Sequence, residues 1–177
     1  MKNKLIMLGM VACMALSMVA CGGSDTKVIE SDGSQASTTT AAATATGYVF
    51  NYQGTDIPVD ADVAPIVDTL GDPSEYFESP SCAAEGIGKL YTYSDFEIQT
   101  YPDGDTDKVL YVRLKTDNVA TAEGIDLSSS RDDVVAAYGE PTSDVTGALT
   151  YEKDGMSLVF IFDGDSLSSI EYDSSLN

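Results

Sequence analysis

The sequence predicts an α+β fold of two tandem units. Each unit reads as a short helix followed by an antiparallel β-meander, with the helices on one face of the sheet. Three observations predict it. Four short motifs recur in the same order, two amphipathic stretches end at Gly and Pro, and apolar runs alternate on either side of Asp-Gly turns.

The recurrence comes first. Gly54-Thr55-Asp56-Ile57 returns as Gly124-Ile125-Asp126-Leu127, and Leu70-Gly71-Asp72-Pro73-Ser74 as Tyr138-Gly139-Glu140-Pro141-Thr142. Leu90-Tyr91-Thr92-Tyr93 has a counterpart in Ala148-Leu149-Thr150-Tyr151, and Asp103-Gly104-Asp105 in Asp163-Gly164-Asp165. The offsets are 70, 68, 58 and 60, which keeps the order with small insertions and deletions. The units run over about 48–117 and 118–177.

The helices come next. In the second unit Ser130-Arg131-Asp132-Asp133 is a start signal, with acids suited to a helix N-terminus. Val134, Val135 and Tyr138 share one face, Gly139 fits the position after the helix, and Pro141 forbids continuation. In the first unit Val63, Ile66, Val67 and Leu70 form the stripe. Pro65 fits there if Asp62 caps, because the first-turn amides have no helical partner. Both helices are short and need a sheet to pack on.

The strands follow from alternation. Residues 96–101 turn at Pro102-Asp103-Gly104-Asp105 and return over 109–115; residues 157–162 turn at Asp163-Gly164 and return over 167–172. Leu110, Val112 and Leu114 share one face with Leu158, Phe160 and Phe162. Tyr101, Tyr111, Arg113, Val159 and Ile161 fall on the other. Residues 48–52 read as a further strand.

Composition limits the chemistry. The 177 residues hold 9 Lys+Arg and 29 Asp+Glu, a net charge of −20, with no His and no Trp. Nucleic acid is excluded as a partner, because phosphates need Lys and Arg. Ser-His-Asp and Cys-His catalysis are excluded with the missing His.

The N-terminus reads as an address. Lys2 and Lys4 precede 16 uncharged, mostly apolar residues at 5–20, too few for a membrane span of about 20. Met18-Val19-Ala20-Cys21, followed by Gly22-Gly23-Ser24, resembles the bacterial lipobox. That resemblance implies a diacylglyceryl group on Cys21 and a mature chain beginning there. Cys13 repeats the pattern, but cutting before it leaves only residues 5–12 as apolar core. The other reading is an ordinary signal with an incidental Cys. Two acyl chains give stable anchoring. Removing 1–20 leaves 7 Lys+Arg against 29 Asp+Glu, a net −22. Cys82 then has no partner for an intramolecular disulfide.

Residues 21–47 carry the lipidated Cys and a Gly/Ser/Thr/Ala tether without a hydrophobic period. As a flexible chain the 26 residues after Cys21 span roughly 28 Å. All ten Tyr and all five Phe lie within 48–172, so a globular domain is expected at 48–177.

Gly124-Ile125-Asp126-Leu127-Ser128, through Asp133-Val134 to Tyr138-Gly139-Glu140-Pro141, resembles a motif of the β-lactamase-inhibitor-protein-like fold. The same motif occurs in small outer-membrane assembly lipoproteins of that superfold. The resemblance implies tandem helices on an antiparallel sheet. Residues 48–172 also resemble lipoproteins of Gram-positive gut anaerobes, with Ser81-Cys82-Ala83-Ala84-Glu85-Gly86 ahead of Tyr91-Thr92-Tyr93. With no Trp and no disulfide pairs, inhibition of a β-lactamase is not carried over.

No catalytic residue, metal-ligand set or cofactor is expected. Asp103, Asp105 and Asp107 alternate like a calcium loop, but EF-hand positions six and twelve hold Lys108 and Leu114. An acidic hairpin turn is the expectation, with a weak surface calcium site as the other reading. Cys82 is expected as a small buried hydrophobe rather than a reactive thiol, since no His or basic cluster adjoins it. Tyr101, Tyr111, Arg113, Val159 and Ile161 are the candidate binding residues, an apolar strip with Tyr and Arg anchors suited to a protein partner; the other reading is that the two units or a loop cover this face. The functional expectation is a membrane-anchored extracytoplasmic lipoprotein, a non-catalytic module binding a protein or envelope ligand. It touches the membrane through its lipid alone. The sequence sets no oligomeric state. Alternatives are a structural or assembly lipoprotein of the envelope and a small carboxylate-dependent hydrolase. Some close carboxylate pair is unavoidable among 26 acids in 48–177, so such a pair carries no information.

Overall fold

Alternating burial organises the strands, which hold nearly half of the described residues. The computed structural model describes residues 47–177; the expected signal, the expected tether up to residue 46 and the expected lipid site at Cys21 lie outside the described residues. Its elements are β1 (Phe50–Tyr52), β2 (Thr55–Ile57), α1 (Val63–Leu70), β3 (Glu75–Pro80), β4 (Ile87–Thr92), β5 (Phe96–Asp103) and β6 (Thr106–Leu114). After these come α2 (Arg131–Tyr138), β7 (Ser143–Val145), β8 (Ala148–Lys153), β9 (Met156–Asp163) and β10 (Ser166–Ser174). β1 and β2 form a two-stranded sheet. The other eight strands form one antiparallel sheet in the order β3-β4-β5-β6-β10-β9-β8-β7.

This corrects the expected fold class. The molecule is mostly β, with 47% of the described residues in strands and 12% in helices, rather than α+β built of two helix-then-meander units. The physical reason is the junction of β6 with β10. Leu114 lies opposite Ile170 and Val112 opposite Tyr172, and all four are buried. Backbone hydrogen bonds and apolar packing therefore run straight across the point where two units would have met. One core spans the sheet, with Phe96 and Ile98 of β5 and Leu158 and Phe160 of β9 in the same cluster. Each fully buried aliphatic or aromatic side chain there stabilises the fold by about 1.5–3 kcal/mol.

The helices are two turns each and contribute few core residues. Asp62 caps α1, its Oδ1 accepting from the Ala64 amide at 3.0 Å, and Val63 and Ile66 are buried. In α2 the Ser130 hydroxyl and the Asp133 carboxylate form a capping box. Val134 is buried and Tyr138 half-buried, whereas Val135, expected on the same face, is 40% exposed. Positions i and i+4 face the core, and i+1 turns away. Both helices end at a glycine of positive φ, Gly71 and Gly139, whose amides bond back to the Val67 and Val135 carbonyls. A buried tyrosine then ties down each end. Tyr93 Oη donates to the Gly71 carbonyl at 3.2 Å and Tyr151 Oη to that of Gly139 at 3.1 Å.

One bulge shapes the central strands. The β5–β6 register shifts between Gln99 and Thr100, so Val109 and Leu110 together oppose one residue, and both are buried. Beyond it the 60–62 segment bonds to β6, with the Asp60 amide on Val109 O at 2.8 Å and the Val109 amide on Ala61 O at 2.9 Å.

Candidate functional site

The second face of the eight-stranded sheet is where the candidate residues were expected. Two rows cross it. Glu97 on β5, Arg113 on β6, Glu171 on β10, Val159 on β9 and Thr150 on β8 stand opposite one another in succession. Next to them run Gln99, Tyr111, Asp173, Ser157 and Glu152. All except the exposed Glu152 are half-buried. Among the described residues the core cluster draws on both helices and the β1–β2 hairpin, and it lies on the other face.

Arg113 is the centre of this surface. Its Nη1 bonds to Glu97 Oε1 and its Nε to Glu171 Oε1, both at 2.7 Å. Its guanidinium lies 4.7 Å from the centre of the Tyr111 ring, and Tyr111 Oη reaches the same Glu97 oxygen at 3.5 Å. Burial works to lower the Arg113 pKa, but the hydrogen bond and charge of Glu171, with Tyr111 and Glu97, raise it above its usual value. Burial also raises the Tyr111 hydroxyl, with Arg113 opposing and Glu97 and Glu171 assisting.

Beside the rows lies an open depression of about 540 Å³, lined by Glu152, Ser157, Val159, Asp173, Ser174 and Asn177 and rimmed by the β8–β9 turn. Burial lifts the Asp173 carboxyl to about 6. Glu171 adds to that rise, while the Asn177 amide, donating at 2.8 Å, and Arg113 oppose it. The depression therefore presents carboxylate, hydroxyl and amide groups beside Lys153 of the turn, with one carboxyl that titrates in mildly acidic solution.

Four of the five expected residues, Tyr111, Arg113, Val159 and Ile161, lie on this face and are half-buried. Tyr101 does not join them. It is only 9% exposed, and its hydroxyl donates to Asp60 Oδ1 at 2.9 Å. Burial and that hydrogen bond push its pKa up to about 12. Ser174 Oγ donates to the same Asp60 oxygen at 2.7 Å, so Tyr101 belongs to a structural node joining the 60–62 segment, β5 and β10.

Nor is the face an apolar strip. Val159 stands between Glu171 and Thr150, and Ile161 between Ser169 and Ala148. The missed residues are Glu97, Glu171 and Asp173. Their signal was parity, since alternation puts Glu171 and Asp173 on one face of β10. Cross-strand register, which the sequence does not display, brings them to Arg113.

Two other expectations resolve locally. Cys82, expected buried, is exposed in the turn between β3 and β4. The 81–86 turn lies beyond the hydrogen-bonded strands, where no core reaches it. Asp103-Gly104-Asp105 forms the β5–β6 turn with Gly104 at φ +63°, and Asp107 is engaged by Lys89 at 2.6 Å. Among the described residues no helix is long and apolar enough to cross a membrane.

Compared with protein-family models, curated proteins and solved structures, the chain matches none.

Proposed function

We propose that this chain is a lipid-anchored, extracytoplasmic, non-catalytic binding protein. Its sheet domain is held off the membrane by the 21–47 tether, with the lipid on Cys21. The observation that carries the binding role is the half-buried polar face centred on Arg113. There the guanidinium is pre-set by two carboxylates and an aromatic ring, so little side-chain freedom is lost when a ligand docks. Val159 and Ile161 add apolar area beside it, and the adjoining depression offers hydrogen-bond acceptors. A protein or envelope component is the ligand class that such a shallow surface suits.

Two measurements test this reading. Replacing Cys21 with Ala abolishes incorporation of labelled palmitate and moves the protein out of the membrane fraction. The double variant Tyr111→Ala/Arg113→Ala, with unchanged circular dichroism, retains its envelope partner at least about tenfold less well than wild type. Palmitate on the Ala variant, or undiminished retention by the double variant, overturns the corresponding half.

A further inference from the structure

The two edges of the eight-stranded sheet are guarded differently. β7 is three residues long and its Asp144 is ion-paired to Arg131 of α2, so it offers a further strand little purchase. β3 is six residues long, and among the described residues nothing pairs with its outer side. Ser81 donates its amide to Gly86 O at 2.9 Å, which makes these two a hydrogen-bonded pair. With the β3–β4 register, alternation turns the amides and carbonyls of Phe77 and Ser79 toward β4 and those of Tyr76 and Glu78 outward. Pro80 directs its nitrogen outward too, so it costs the sheet no bond.

The side chains on this edge are unusual for the molecule. Phe77 is 63% exposed, Tyr76 49% and Ile87, opposite Pro80, 47%. These are three of the six exposed large hydrophobic residues among the described ones. The charges on β3 are Glu75 and Glu78. Lys89, the cross-strand neighbour of Glu78, is already engaged by Asp107. A second copy of this chain fits poorly, because its β3 brings two further carboxylates and no cation to pair with Glu75 and Glu78. Residues 47–177 also hold 26 Asp+Glu against 6 Lys+Arg.

We propose that β3 is a docking edge for an extended segment of a partner protein that carries two cationic residues three positions apart with two apolar residues between them. The segment adds as a ninth strand, bonding to the outward amides and carbonyls of Tyr76 and Glu78. Its cationic residues stand opposite Glu78 and Glu75, and its apolar pair opposite Phe77 and Tyr76. The pattern is symmetric, so either strand direction satisfies it. This surface is separate from the Arg113 face and does not depend on it.

The test is amide hydrogen exchange on the full-length, isotope-labelled chain in detergent micelles. The probe is the peptide acetyl-Thr-Lys-Val-Val-Lys-Thr-amide. At a free concentration ten times its Kd, exchange at the Tyr76 and Glu78 amides slows by about tenfold. The same peptide N-methylated at its four central residues keeps every charge and gives no protection. Glu75→Lys/Glu78→Lys, with unchanged circular dichroism, loses the protection seen with wild type. Equal protection by the methylated peptide, or protection confined to other strands, overturns the proposal. So does protection of these amides that rises with protein concentration alone, which would make a second copy the occupant.

Discussion

Single carboxylates carry more of this molecule than their number suggests. Asp60 adopts a left-handed backbone at φ +61° and accepts from Tyr101 and the buried Ser174 at once. Asp60→Ala removes both acceptor contacts while its Cβ stays in the disfavoured left-handed conformation, so a loss of about 1–2 kcal/mol is expected in urea unfolding. Asp60→Gly, which tolerates the backbone, should lose less. Asp173 works in the opposite sense. Its folded carboxyl, near 6, keeps a proton that the unfolded chain releases near 3.8. The folded state thus binds more protons between about pH 4 and pH 6, and this group's contribution to stability falls as pH rises through that window. Above pH 6 the whole penalty is present. Asp173→Asn is expected to gain about 1–3 kcal/mol at pH 7 and nothing near pH 3, read from urea midpoints at both values.

At the scale of an element, β4 shows how close approach overrides propensity. Gly88 is the second residue of Ile87–Thr92, inside a strand, where glycine is intrinsically unfavourable. A Cβ at that position would lie 2.7 Å from the Thr100 carbonyl and 2.9 Å from the Gln99 side-chain amide. Gly88→Ala is therefore expected to push β4 away from β5 and lower stability by about 1–3 kcal/mol, visible as a fall in Tm. That glycine also hid β4 from sequence reading, because it breaks the apolar alternation. β3 was hidden for a different reason: its aromatic residues are exposed on both faces, so period-two burial has nothing to mark. The strands that were legible, β5, β6, β9 and β10, are central, and each hides one face and shows the other.

The whole sheet is expected to unfold as one cooperative body because β6 and β10 share both a ladder and a core. Ile170 sits fully buried at that seam, opposite Leu114 on β6 and Phe160 on β9. Ile170→Ala is expected to cost about 2–5 kcal/mol. The loss should appear as a single transition at which far-ultraviolet circular dichroism and tyrosine fluorescence coincide. Two separate transitions would show that the halves on either side of the seam unfold independently.

The sequence by itself determined the acidic character, the missing histidine chemistry, the aromatic limits of the domain and the two faces of its central strands. These are properties of composition and of near neighbours, where side-chain period and charge act without reference to distant residues. Only the tertiary structure decided that the strands fuse into one sheet, that Tyr101 is buried against Asp60, and that Glu97 and Glu171 close on Arg113. Each of those outcomes depends on cross-strand register between segments tens of residues apart. A register is set by the summed packing of a whole strand and is written in no single stretch of the chain.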